Sequence, residues 1–287
     1  MKLSVLIPVY NERRTLREIV QRVLNQDVPG INEKEIIIID DYSTDGSREI
    51  VRQLHEENPV FIRPIYLEEN QGKGNAIRLA IQAASGDIAI IQDADLEYNP
   101  TDYDIVLRPI IEGAADVVYG SRFAQREQRR ILYFRHTIAN RFLTFLSNFF
   151  TNLNLTDMET CYKAFRVEVA KTIPIRSKRF GIEPELTAKF AKRKLRIFEV
   201  PISYHGRTYE EGKKITWPDG FRAFITILKF WVIDDMFEGD YGHKDLIDME
   251  AAPKYTEWTL ARTRPYVGDL LLEIGSGIGN NVRILMQ

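Results

Sequence analysis

Short apolar runs alternate with segments of helical periodicity through the first 120 residues. Residues 3–9 (LSVLIPV) read as a buried strand closed by Pro8 and Tyr10-Asn11. Residues 15–25 place apolar side chains at 16, 19, 20, 23 and 24, the spacing of one helix face. The alternation continues with a strand at 35–39 (EIIII) stopped by Asp40-Asp41, a helix at 44–57 with Asp45 or Ser47 near its cap, and a strand at 62–66. A helix at 72–84 opens on Gly-Lys-Gly, and a strand at 88–92 (IAIIQ) runs into Asp93-Ala94-Asp95. A helix at 101–111 and a strand at 116–119, ending in Gly120-Ser121-Arg122, complete the series. Alternating β and α units predict an α/β fold: a mainly parallel, twisted, Rossmann-like sheet flanked by helices. Polar residues gather where strands end, the edge at which open α/β sheets bind ligands.

The pattern then changes. Arg122, Arg126, Arg129, Arg130, Arg135 and Arg141 face a single acid, Glu127, and lead into an aromatic, apolar stretch at 142–150. A helix at 183–191, a strand at 195–200, a basic loop at 205–214 and an aromatic helix at 221–233 follow. Composition shifts at 237–243, and the tail from 245 reads as helix, loop, a strand at 269–274 and the run Gly275-Ser276-Gly277-Ile278-Gly279. A length of 287 residues suits one large domain or two ordinary ones. The shift divides it into a unit at 1–235 and a helical extension at 236–287.

Composition narrows the function classes. Hydrophobic residues make up 44% and charged residues 28%, as in globular proteins, which excludes disordered and fibrous classes. Lys and Arg total 39 against 41 acids, a balance that argues against nucleic-acid binding. One cysteine, Cys161, allows no intrachain disulfide and fits a reducing compartment. No signal peptide is visible at the start. The longest apolar segment, 221–237, contains Arg222, Lys229, Asp234 and Asp235, which rules out spanning but leaves surface association open. The expected location is cytoplasmic, with contact to the cytoplasmic face of a membrane allowed.

Several constellations can carry chemistry. Asp93 and Asp95 flank one small residue at a strand end, a spacing that lets two carboxylates reach one hard divalent ion, with Glu97 as a third oxygen. A turn with a helix cap explains the same residues. Asp40-Asp41 with Ser43, Thr44 and Asp45 can hydrogen-bond a base or ribose, or form a capping turn. Gly72-Lys73-Gly74-Asn75 offers a helix N-terminus and a cation to an anion, or is a plain glycine loop. The arginines up to Arg141, with Arg207, Lys213 and Lys214, adjoin two aromatic stretches, as anionic lipid surfaces require. A core with a basic rim fits equally. The segments 157–163 and 180–185 carry acids in capping-like settings, Cys161 reads as a buried inert thiol, and the four histidines show no metal spacing.

Taken in order, SVLIPVYNE at 4–12, IIDDYSTDGS at 38–47, NQGKGNAI at 70–77, DADLEYNP at 93–100 and YGSRF at 119–123 resemble family 2 glycosyltransferases of the GT-A fold. The likeness continues through TCYK at 160–163, FGIEPELTAK at 180–189 and the stretch 201–217, and is strongest to the dolichol-phosphate mannosyltransferase-like branch. The resemblance implies inverting transfer of a sugar from GDP-mannose or a UDP-sugar to a polyprenyl phosphate at a membrane surface. It implies that Pro8, Tyr10, Glu12, Asp41 and Lys73 line the nucleotide-sugar pocket. Asp93 and Asp95 then hold Mg²⁺ or Mn²⁺, with Glu97 where the branch often has Gln. Ser121, Arg122, Lys163 and Arg207 meet the acceptor, and Asp95, Arg122 and Asp157 are the catalytic set. A phosphate acceptor is already an anion at pH 7. A soluble sugar or natural-product hydroxyl, the alternative acceptor, needs a general base, for which Asp157 is the candidate with Glu183 or Glu185 behind it. A non-catalytic nucleotide-sugar-binding protein is a third reading, against which the carboxylate pair argues. In the tail, LLEIGSGIG at 271–279 resembles the first motif of class I S-adenosylmethionine-dependent methyltransferases, with Glu273 and the glycines at the first strand-to-helix turn. The helix after that motif breaks off at Gln287, so no methyltransferase activity is expected, and the tail reads as the front of a longer second unit.

Overall fold

The computed structural model describes residues 1–124, 133–179, 181–206 and 217–233, with position 261. Compact units fall at Met1–Met236 and Phe237–Gln287. The methyltransferase-like motif at 271–279 lies outside the described residues.

The first five strands and four helices follow the alternation of the sequence. They are β1 (Lys2–Val9), α1 (Leu16–Asn25), β2 (Glu33–Asp40), α2 (Ser47–Glu57), β3 (Ile62–Tyr66), α3 (Lys73–Ala83), β4 (Ile88–Ile91), α4 (Tyr103–Ile111) and β5 (Val117–Ser121). After them come α5 (Phe134–Thr151), β6 (Lys163–Arg166), the short α6 (Val167–Lys171), α7 (Ile182–Lys192), β7 (Ile197–Pro201) and α8 (Trp217–Val232). The central strands are continuous apolar runs because helices cover both sheet faces. Ile36 to Ile39 and Ile88 to Ile90 are fully buried. α1 buries Leu16, Ile19, Val20 and Val23, the stripe its spacing predicts.

The seven strands run in the order β3-β2-β1-β4-β6-β5-β7. Every pairing is parallel except those of β6, which is antiparallel to both β4 and β5. The sheet is therefore mainly parallel, as expected, with one reversed strand that the sequence pattern did not signal. Two consequences position the site. The carboxyl ends of β1, β2, β4 and β5 share one edge of the sheet. Because β6 runs backwards, its beginning reaches that same edge, and the segment before Lys163 is delivered there too.

Candidate active site

The edge is built first by the loops after β1 and β2. Asn11 N–H donates to Ser43 Oγ at 3.0 Å, Asn11 Oδ1 accepts from Thr44 N–H at 2.8 Å, and Glu12 N–H donates to Ser47 Oγ at 2.9 Å. Asn11 and Tyr42 hold positive φ angles of 54° and 63°, a cost that these hydrogen bonds offset. Tyr10 and Tyr42 stay exposed at the opening, with Pro8 and Glu12 half-buried beside them. Asp40 is taken by Arg48, whose Nε lies 2.6 Å from Oδ2. Asp41 is buried, and its two oxygens accept the Gln71 and Gly72 N–H groups at 2.7 Å each. Burial lifts its pKa, against the pull of those two donors. Asp41 thus fixes the loop that enters α3.

That loop corrects one expectation. The α3 N-terminus is not an open anion cradle, because Asn75 N–H donates to Lys178 O at 3.2 Å. Gly72 has φ +90°, and a Cβ there would come 2.4 Å from Lys178 O. A Cβ on Gly74 would come 2.0 Å from Ser177 O. The glycines let the 177–179 backbone cross the helix end. Lys73 remains as the cation at this helix start, and it is engaged by acids.

Asp93 and Asp95 follow β4 after Gln92. Lys73 Nζ lies 3.0 Å from Asp93 Oδ1, 3.2 Å from Oδ2 and 3.1 Å from Glu183 Oε1. Asp95 Oδ1 accepts the Glu97 N–H at 3.1 Å, which shapes a turn in which Leu96 holds φ 63°. Glu97 turns away to Tyr204, whose hydroxyl donates to Oε2 at 2.7 Å. Among the described residues no three His, Cys, Asp or Glu side chains are grouped to hold a metal, so Glu97 is not gathered with the pair as a third oxygen. The pair alone still fits Mg²⁺ or Mn²⁺, which take one or two carboxylates and complete their shell with phosphate and water. An ammonium already drawn against both Asp93 oxygens shows that this position attracts positive charge.

The reversed strand brings in the third part. Arg122, next after β5, donates from Nε and Nη2 to Asp157 at 2.6 and 2.7 Å, and its backbone N–H donates to the same carboxylate at 3.0 Å. Asp157 is fully buried. It fixes Arg122 and is not placed as a base. The guanidinium stacks over the Tyr204 and Phe123 rings at 5.2 and 5.7 Å. Burial opposes its charge, but Asp157 holds its pKa well above the ordinary value. The reserve bases are engaged as well. Glu185 accepts from Lys189 at 2.8 Å and from the Arg176 and Ser177 N–H groups, and Glu183 pairs with Lys73.

Two acceptor residues are displaced by the structure. Lys163 is buried, with its amine donating to Met158 O and Thr160 O, so it braces the 157–162 segment from beneath. Ser121 is buried and bonded to Thr156 Oγ1 at 2.6 Å while accepting the Phe123 and Ala124 N–H groups, so it organises a turn. Arg207, Arg126, Arg129 and Arg130 lie outside the described residues. Cys161 is buried, and burial drives its pKa up, as for an inert thiol.

Sequence reading missed the aromatic lining and one acid. Tyr98 bridges to Tyr204, and its hydroxyl accepts the Cys161 N–H at 3.0 Å. Glu159 has its Oε1 sealed from solvent without a hydrogen-bond partner, as does Glu183 Oε2. Burial, reinforced by Glu183, pushes the Glu159 pKa up to about 8.

α5 carries the arginine-to-aromatic stretch with its polarity reversed. Its inner face is partly polar: Thr144 Oγ1 accepts Met158 N–H at 3.2 Å, and Asn148 exchanges two hydrogen bonds with Leu155. These bonds hold the segment that carries Asp157. The outer face is apolar, with Phe134, Phe145 and Phe149 exposed by 77%, 63% and 71%, and Ile138 and Phe142 also exposed. Trp231, Val232 and Ile233 of the neighbouring α8 end are exposed as well, and Trp231 stacks on Phe150 at 4.8 Å. Arg141 reaches over the Phe123 ring at 6.0 Å, which links this face to Arg122.

Residues 4–173 match the sequence model of glycosyl transferase family 2. The chain is 30% identical over 210 residues to an undecaprenyl-phosphate 4-deoxy-4-formamido-L-arabinose transferase of Edwardsiella ictaluri, covering 73% of this chain and 62% of that protein's length. It is 28% identical over 240 residues to a UDP-N-acetylglucosamine–dolichyl-phosphate N-acetylglucosaminyltransferase of Methanococcus voltae, covering 78% and 94%. Its fold matches glucosyl-3-phosphoglycerate synthase from Mycobacterium tuberculosis, solved with Mn²⁺, UDP and phosphoglyceric acid, at a TM-score of 0.62 and 19% identity over 82% of this chain and 80% of that one. The same synthase solved with Mg²⁺ and UDP matches at 0.60, again at 19% identity over 82% and 80%.

Proposed function

Because the chain belongs to glycosyl transferase family 2, we propose that it moves a sugar, with inversion, from a UDP-sugar or GDP-mannose to a polyprenyl phosphate at a membrane surface, assisted by Mg²⁺ or Mn²⁺. The relatives' names support the acceptor class, since both specify a polyprenyl-type phosphate. The observation that carries the reading is the exposed aromatic row of α5, tied through Arg141 and Phe123 to the fixed Arg122. Aromatic side chains outward and arginine at the rim suit a lipid interface with phosphate at its surface. Among the described residues no helix is long and apolar enough to cross a membrane.

In this reading Tyr10, Pro8 and Glu12 border the nucleoside, and Asp41 holds the loop beneath it. Asp93 and Asp95 would hold the metal, which neutralises charge on the departing diphosphate. Lys73 adds a second positive charge there. Arg122 receives the acceptor phosphate through the donors that Asp157 leaves over, and the Tyr98 and Tyr204 rings wall that side. An acceptor oxygen forms the new bond to the anomeric carbon while the bond to the diphosphate oxygen breaks, its electron pair leaving with the nucleoside diphosphate. The acceptor phosphate has a second pKa of about 6, so no proton need be removed at pH 7. This agrees with the engagement of Asp157, Glu183 and Glu185 in ion pairs.

The test supplies UDP- and GDP-sugars with Mn²⁺ to the full chain, with either a short polyprenyl phosphate in anionic vesicles or soluble sugar hydroxyls. Transfer to the lipid phosphate, together with flotation on the vesicles, is expected. Replacing Phe142, Phe145 and Phe149 by Ser should remove flotation and slow transfer to vesicle-held acceptor by at least about tenfold, since each buried aromatic contributes on the order of 2 kcal/mol. Transfer to hydroxyls alone would defeat the reading.

A further inference from the structure

Lys73 is held in a way that transfer itself does not require. Its ammonium touches both oxygens of Asp93, the first carboxylate of the pair, and at the same time Oε1 of Glu183. The side chain is only 16% exposed. The other oxygen of Glu183, Oε2, is sealed from solvent and has no partner. A buried carboxylate oxygen left unpaired is costly, so this atom is a prepared landing point for a donor. Lys73 already holds the adjacent oxygen and has three N–H donors to distribute.

We propose that Lys73 is a built-in counter-cation that makes metal binding conditional on nucleotide: it occupies Asp93 in the free protein, and turns onto Glu183 Oε2 and the incoming diphosphate when a metal–nucleotide pair arrives. The inference rests on the metal-dependent reading above. A divalent ion arriving alone must take Asp93 from an ammonium and then sit beside it, like charge against like charge in a poorly solvated site. A nucleoside diphosphate supplies the negative charge that both cations can share. Glu183 keeps Lys73 in reach while it changes partners. Metal and nucleotide then strengthen each other's binding, by the same factor in both directions.

The experiment measures Mn²⁺ binding to the full chain by calorimetry or by the spin-resonance signal of free Mn²⁺, without nucleotide, with saturating UDP and with saturating GDP. In the wild type, the fitting nucleotide should tighten Mn²⁺ by at least about tenfold. In Lys73→Met, Mn²⁺ alone should bind more tightly than to the wild type, and the gain from nucleotide should shrink to the part that direct phosphate ligation supplies. In Glu183→Gln, which leaves Lys73 on Asp93 and weakens its landing point, Mn²⁺ alone should bind more weakly and the gain should also fall. The two variants thus move Mn²⁺ affinity in opposite directions, which damage to the fold would not do. An undiminished nucleotide gain in Lys73→Met overturns the inference. Should that variant fail to fold, an undiminished gain in Glu183→Gln overturns it. A wild type that binds no Mn²⁺ even with UDP or GDP fails at the earlier step, and removes the metal reading itself.

Discussion

Asp93 and Asp95 close a strand whose residues are almost entirely buried, so their backbone positions are set by the sheet and not by each other. Replacing either by Ala should leave the fold intact and lower metal-dependent transfer at least about a hundredfold, the scale of removing several kcal/mol of charge stabilisation. Turnover with Mn²⁺, compared at equal circular dichroism, checks this; near-normal rates would end the assignment. Glu159 makes a prediction in pH. Its folded pKa of about 8 lies above the ordinary carboxylate value. Between those values the folded state binds a proton that the unfolded state has released. The stability it contributes is therefore complete at low pH and is lost as pH rises through about 8. Glu159→Gln keeps the neutral form at every pH. Urea unfolding should show the variant gaining on the wild type from pH 5 to 8, by no more than about 1.4 kcal/mol per pH unit. A difference that does not change with pH would contradict the assignment. The D-x-D spacing was legible because two acids after an apolar run stand out in one dimension. Glu159 was not, since its pKa comes first from burial in the tertiary structure and then from the charge of Glu183, 24 positions away in sequence.

Among the elements, the entry to α3 shows how a readable motif can serve a different purpose from the one expected. Gly72-Lys73-Gly74 suggested a phosphate cradle, yet the glycines admit the 177–179 backbone. Gly74→Ala would push a methyl group into Ser177 O. Overpacking of this kind costs about 1–3 kcal/mol, and because the obstacle is backbone the upper end is expected. Chemical denaturation measures it, and a loss below about 0.5 kcal/mol would show that the crossing relaxes freely. α5 gives the converse case. Phe134, Ile138, Phe142, Phe145 and Phe149 recur at helical spacing, which alone suggests a stripe turned to the core. The structure turns Leu143, Thr144 and Ser147 inward instead, because Thr144 and Asn148 hold the segment around Asp157. β6 escaped detection because a four-residue strand reading KAFR, with charge at both ends, has no apolar run to announce it.

For the molecule as a whole, the site is a property of the sheet edge. Residues near 10, 41, 72, 93, 122, 157 and 183 meet because the six parallel strands end there and one reversed strand begins there. A ligand that joins these loops should stabilise the fold as a unit. The fitting nucleoside diphosphate with Mn²⁺, at a hundredfold excess over Kd, should add about 2.7 kcal/mol. A melting panel of UDP, GDP, ADP and CDP with Mn²⁺ would read this as one nucleotide raising Tm above the others; no response to any would count against a nucleotide site. The sequence by itself determined the alternation of strands and helices and the position of the acid pair, since short-range periodicity encodes both. It also carried the family likeness. Strand order, the reversal of β6, the outward turn of the α5 aromatics and the pairing of Lys73 with both Asp93 and Glu183 were decided only in the tertiary structure. Those depend on which distant segments bury against one another, and no local spacing records that.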